Sequence, residues 1–291
     1  MLQASVLLQS GCALGEGPVW FEARNSCLWV DILEKTIFEY HLHSKILDQH
    51  QMPQMVSLII PAGDHNVIVA LQGGIARYHL DNKNFEMISD LDLDWNNIRC
   101  NDGICNINGH LWIGTTGIDH ADGAGDLYYI NNKLTVQKQL KQLTISNGMA
   151  LTPHNTHLYH TDSVTQNISC YSVDNSTGKM QFNHVAISIP KSMGIPDGMA
   201  MDEEGKLWVA LWGGFGVGRF DPQNGKMIAF IQLPVPHVTC CAFIGKNRRT
   251  LLITTAKKGL TSQELDQYPL SGHVFIAEVD VVGLKKYDCT L

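Results

Sequence analysis

The stretch "ISNGMALTPHNTHLYHTD" (residues 145–162) sets Asn147, a residue type depleted in strands, directly ahead of a short apolar run. A polar turn follows, then a second run ending on Thr161 and Asp162. Fifty residues on, "IPDGMAMDEEGKLWVALWGG" (195–214) repeats this grammar with Asp197 in place of the Asn. Working outward, "LGEGPVWFEARNSCLWVDI" carries Glu16 at the same point and "RCNDGICNINGHLWIGTT" carries Asn101. "VTCCAFIGKNRRTLLITTA" has Cys241 there, and a weaker copy, "SLIIPAGDHNVIVALQGG", has Leu58. The six anchors are 42, 43, 46, 50 and 44 residues apart. Each opens an apolar run, crosses a turn rich in Gly, Asn, Asp or Pro, and enters a second run such as "LWV", "LWI" or "LLI". A third run follows, for example "GFGVGRFD", "GDLYYI" or "GGIARYHL".

Three to four short strands per unit at this period predict an all-β, six-bladed β-propeller, with residues 1–291 as one domain. A β-sandwich has similar turn signals but no reason to repeat at this spacing. The closing run "HVFIAEVDVV" (273–282) and the opening "LQASVLL" (2–8) are expected to share one blade and stitch the ring shut. Helical patterns are nearly absent; "TSQELDQYP" has room for a turn or so.

Composition narrows the partners. Of 291 residues, 44% are hydrophobic and 17% charged, as in ordinary globular proteins. A net charge of -7 argues against nucleic acid or an anionic membrane as the main partner. The eight cysteines are irregularly spaced and contain no CxxC pair, so they are expected to be reduced, buried and not zinc ligands. The opening residues lack a basic n-region and are read as mature sequence, which makes the expected location cytoplasmic. No stretch approaches the ~18 apolar residues of a membrane span. A monomer or weak dimer is expected.

The inner strands of a propeller line its axis, so equivalent positions in successive blades converge. Glu16, Asn101, Asn147 and Asp197 then meet, although Glu16 and Asp197 are 181 residues apart. Carboxylates brought together resist joint ionisation, and a cation removes that difficulty. The four side chains offer hard oxygen and no sulfur or imidazole, which suits Ca²⁺, Mg²⁺ or Mn²⁺. Asn147 stands at a strand mouth, on this reading, because its carboxamide faces an axial ion.

At these residues the chain resembles the family of senescence marker protein (regucalcin), gluconolactonase and luciferin-regenerating enzyme. The likeness rests on "GEGPVW" (15–20), "RCNDG" (99–103), "ISNGMALTP" (145–153), "PDGMAMDEEGKLWVALWGG" (196–214), "RFDPQNGK" (219–226), "LPVPHVTCCAFIGKN" (233–247) and "PLSGHVFIAEVDVVGL" (269–284). The resemblance implies a six-bladed propeller whose divalent cation assists hydrolysis of small sugar lactones. It places the metal ligands on Glu16, Asn147 and Asp197, and the substrate contacts on Arg99 and Asn101. A further acidic contact falls on Asp119, in a lid-like region (117–126) where the family often has Glu. His120 and Asp122 are alternatives there.

The implied mechanism has the cation polarise the lactone carbonyl while Asp197 acts as general base; a water activated by the cation is the alternative base. Ca²⁺ is the first choice of metal, with Mg²⁺, Mn²⁺, Zn²⁺ or Fe²⁺ as alternatives. Trp20, Trp29, Trp112 and Trp208 are expected to pack between blades, with Trp212 the one tryptophan to examine as a substrate platform. Rival readings keep the metal without catalysis, as a calcium-binding regulatory propeller, or keep hydrolysis with another ester or a phosphotriester. A WD-type interaction propeller lacks its Trp-Asp signature, and a serine-esterase elbow is absent.

Overall fold

Each repeat unit forms a four-stranded antiparallel meander, as its alternating apolar runs and Gly/Asn/Asp turns require. The computed structural model describes residues 2–291. In the fifth unit the strands are Ile195–Met201, Leu207–Trp212, Gly216–Asp221 and Lys226–Gln232, in chain order across the sheet. Six such sheets stand in a ring. Their first strands, Gly15–Phe21, Val56–Pro61, Ile98–Cys105, Ser146–Leu151, Ile195–Met201 and Val238–Ile244, each contact the next, and the last returns to the first. The chain is thus a six-bladed β-propeller. We number the blades in the order of these inner strands.

Blade 6 is closed by the two ends of the chain. Ser5–Leu8 pairs antiparallel with Val274–Glu278, outside Thr250–Thr255 and Val238–Ile244. Leu2–Gln3 goes further and adds in parallel to Lys226–Gln232 of blade 5, an extension the repeat pattern did not indicate. The short helix Ser262–Gln267 interrupts blade 6, held at its start by a reciprocal Thr261–Glu264 capping box.

Trp29, Trp112 and Trp208 sit on the second strands of their blades and are wholly buried. Trp208 meets Phe243 of the next blade edge-on at 6.2 Å, and its Nε1 donates to Asp202 Oδ2 at 3.0 Å. These large rings fill the wedges between sheets, where apolar area removed from water contributes roughly 25 cal/mol per Å².

One irregularity recurs in every blade and builds the site. The pairing of inner and second strands slips between Glu16 and Val19, Val56 and Leu58, Cys100 and Gly103, Asn147 and Met149, Pro196 and Met199, and Val238 and Cys240. A β-bulge re-aims the side chains beside it. Here six bulges stand at similar points along six inner strands, so the anchor residues turn toward the axis together. Blade 6 corrects the repeat alignment by one residue: Cys240 faces the channel, whereas Cys241 is turned outward and its Sγ contacts Trp208 O at 3.3 Å.

Candidate metal and substrate site

Glu16, Arg99, Asn101, Asn147 and Asp197 line one cavity of ≈ 240 Å³, together with His120, Trp212 and Lys258. It opens at the end of the ring where the inner strands begin. A second cavity of ≈ 200 Å³ lies toward the other ends of those strands, walled largely by apolar side chains and residues 284–287. The first cavity holds the chemistry; the second has no comparable set of polar groups.

Asn147 and Asp197 are buried neighbours across two blades: Asn147 Nδ2 donates to Asp197 Oδ1 and to Ser163 Oγ at 3.2 Å. Ser163 Oγ in turn donates to Pro196 O at 2.8 Å, which ties the loop after blade 4's second strand to blade 5. Asn147 Oδ1 accepts Gly148 N–H at 3.1 Å and keeps a second lone pair that a cation can use. Gly148 permits the close approach. A Cβ at that position would collide with the backbone oxygen of Asp197. Gly148→Ala is therefore expected to lower stability by about 1–3 kcal/mol and to weaken divalent-metal affinity, which denaturant melts and calorimetric titration would measure.

Arg99 is also buried. Its Nη1 donates to Cys100 O at 2.9 Å and to Asn101 Oδ1 at 2.6 Å, while Asn101 Nδ2 donates to Ser146 O at 2.8 Å. Nε and Nη2 make no hydrogen bond among the described residues and remain as donors for a ligand. Asn101 is thus mainly a brace that fixes the guanidinium.

Burial, then the charges of Asp197 and Asp102, pushes the Glu16 carboxyl well above its usual range. Burial and the Asp102 charge push Asp197 up to about 8. Burial lowers Arg99 to about 10, against the opposing pull of Glu16. The cause in each case is a charge held away from water. Two carboxylates and one carboxamide converge without sulfur or imidazole among them, so the donor chemistry fits one hard divalent cation. Glu39, His41 and Asp48 also lie close enough together to hold an ion. They sit on the outer half of blade 1, and Glu39 already accepts from Arg24 and Ser26.

The family model described as the SMP-30/Gluconolactonase/LRE-like region matches residues 14–257. The chain belongs to that family. Among its relatives, the Bacillus subtilis protein YvrE, named for sugar lactone lactonase activity, is 33% identical, covering 93% of this chain and 92% of that one. Regucalcin of Sus scrofa is 32% identical over 98% of both. A crystal structure of regucalcin from Agrobacterium tumefaciens, described as a calcium-binding protein, superposes with a TM-score of 0.95 at 30% identity, covering 100% of this chain and 98% of that one. No helix among the described residues is long and apolar enough to cross a membrane.

Against this family frame, the structure brings together Glu16, Arg99, Asn101, Asn147 and Asp197. It does not bring Asp119 into the cavity. That residue is exposed, and its Oδ1 accepts Ala121 N–H at 3.0 Å within its own turn; the neighbouring His120 reaches the lining instead, and Asp122 is exposed. The reason is local: His120 takes a left-handed backbone conformation (φ 59°), which turns the two adjacent side chains apart. Trp212 lines the cavity and stacks on His237 at 4.0 Å, so it both packs and faces the site. Asp102, Ser163 and Lys258 were missed. Asp102 follows Asn101 within the same bulge; it is half-buried, accepts Gly103 N–H at 2.7 Å and lines a neighbouring cavity, from which its charge acts on Glu16 and Asp197. Its signal was the acid of "NDG", directly after the anchor Asn101.

Proposed function

We propose that this protein hydrolyses small sugar lactones with the help of one divalent cation, Ca²⁺ being the first candidate, held by Glu16, Asn147 and Asp197. The observation that carries this reading is the meeting, in one cavity, of three hard-oxygen donors from separate blades and a buried guanidinium with N–H groups to spare. Lactonase naming among relatives at this identity supports the reaction class. When bound, the cation supplies Lewis-acid polarisation of the lactone carbonyl.

The chain's own residues do the rest. Arg99, braced by Asn101, donates its free N–H groups to the substrate's oxygens and fixes its orientation. Asp197, which a bound cation would keep ionised at neutral pH, accepts the proton of the attacking water. Trp212 offers an apolar wall against one face of the ring. A cation with a purely structural role needs no unpaired guanidinium beside it, which is why catalysis is preferred over a calcium-binding propeller alone. The buried cysteines accord with a reducing, cytoplasmic setting.

Proton release from glucono-, galactono- and xylonolactone, with metal-stripped protein and after adding Ca²⁺, Mg²⁺, Mn²⁺, Fe²⁺ or Zn²⁺, tests the proposal. A metal-dependent rate above spontaneous hydrolysis is expected on at least one of them; none on any would end the reading. Arg99→Ala is expected to lower kcat/KM by about 10²-fold with metal affinity retained, as separate kinetic and calorimetric measurements would establish.

A further inference from the structure

Lys258 lies in the loop between Thr250–Thr255 and the short helix, and its side chain enters the cavity half-buried. The backbone there is pinned: Lys258 N–H donates to Ala13 O at 2.9 Å, and its carbonyl faces His237 Nδ1 at 2.9 Å. Its Nζ reaches His120 Nε2 at 2.9 Å. An ammonium only donates, so Nε2 holds the lone pair and the ring proton sits on Nδ1. Nδ1 in turn faces Thr116 Oγ1 at 3.3 Å, and Thr116 donates to Thr144 O at 2.7 Å. The donors run one way from Lys258 to a backbone carbonyl, so each group has a fixed orientation. Burial and the Lys258 charge lower His120 to about 4, in keeping with a neutral ring.

Neither Lys258 nor Arg99 forms an ion pair among the described residues. The lining sets these two cations against two carboxylates, Glu16 and Asp197. A divalent ion on the carboxylates leaves both cations in surplus. Sugar hydroxyls alone do not call for that arrangement, because amides and hydroxyls serve them without burying charge. An oxyanion does, through short charge-assisted bonds.

We propose that Lys258, oriented by His120, recognises an oxyanionic substituent on the substrate, a phosphate ester or a carboxylate, so that the preferred lactones are acidic ones. This rests on the lactonase reading and narrows its substrate class.

The test compares kcat/KM of the metal-loaded protein on gluconolactone, on its phosphate ester at the primary hydroxyl, and on glucarolactone, which has a carboxylate at that carbon. Calorimetric titration of the corresponding open-chain acids gives a second readout independent of turnover. An acidic lactone is expected to be preferred by about 10- to 100-fold; whichever is preferred identifies the substituent. Lys258→Met should bring the acidic-to-neutral ratio close to one. His120→Gln, whose amide oxygen still accepts from Lys258, should keep most of it. Lys257→Met, which removes the same charge one residue away, should keep all of it. The proposal is overturned if neutral lactone is the best substrate, if Lys258→Met leaves the ratio within about threefold of the parent, or if Lys257→Met abolishes it equally. Should no lactone be hydrolysed while the acids still bind in a Lys258-dependent manner, the lactonase reading falls and the oxyanion site stands.

Discussion

Asp197→Asn is expected to reduce metal-dependent lactone hydrolysis by about 10²- to 10⁴-fold, the range associated with loss of a positioned general base. The substitution changes little in shape. It removes a carboxylate that is hydrogen-bonded to Asn147 and buried at the mouth of blade 5. It also halves the negative charge on the two carboxylate ligands, so affinity for a divalent cation should fall with activity. Stability separates these effects from general damage. Asp197, Glu16 and Asp102 oppose one another's ionisation, so removing one charge should leave the metal-free protein as stable as the parent, or more so, at pH 8. Initial rates, metal titration and denaturant melts on one preparation give all three readings. Activity within tenfold of the parent at saturating metal would exclude Asp197 as the base.

The propeller was legible because a blade is a local object: each repeat carries its own turns and its own "LW" or "LL" run, and the period counts the blades. The meeting of Glu16, Asn101, Asn147 and Asp197 in one cavity was legible for the same reason, whereas their division into ligands and substrate contacts came from the family resemblance. Glu16, Asn147 and Asp197 stand in phase with the repeats, and six bulges keep that phase in space. What escaped lies where the repeat has no copy. Lys258 belongs to an insertion between blade strands, and its route into the cavity depends on a backbone pinned by Ala13 and His237 from other parts of the ring. The choice between Asp119 and His120 hung on one residue with positive φ, which no apolar pattern encodes. Cys241 was set one residue out of register: with "VTCCAFI" (238–244) laid on "ISNGMAL" (145–151) and "IPDGMAM" (195–201), Cys240 is the partner of Asn147 and Asp197, and Cys240 is the one that faces the channel.

Metal binding should be strongly pH-dependent, tightening by up to about tenfold per pH unit for each proton displaced between pH 6 and 8, and levelling above. The sign follows from Asp197. Its carboxyl is raised from 3.8 to about 8 in the folded, metal-free protein, so at neutral pH the fold holds a proton there that the unfolded chain has already released. A cation bound to the carboxylate has to displace that proton, and raising the pH removes the competition. Glu16, shifted in the same direction by burial and by Asp197, adds to the slope. Linkage gives a companion effect with the opposite appearance. Without metal, these groups make the folded state progressively less stable as pH rises from about 4 to about 8, because the protons favouring the fold are lost. Saturating metal should cancel that decline, so the stabilisation produced by metal grows toward pH 8. Titration calorimetry in two buffers of different ionisation enthalpy counts the protons released, and melts with and without chelator across the same range follow the stability. Proton release near zero at pH 6.5, with affinity flat from pH 6 to 8, would show that the buried carboxylates are already ionised and that burial does not govern this site.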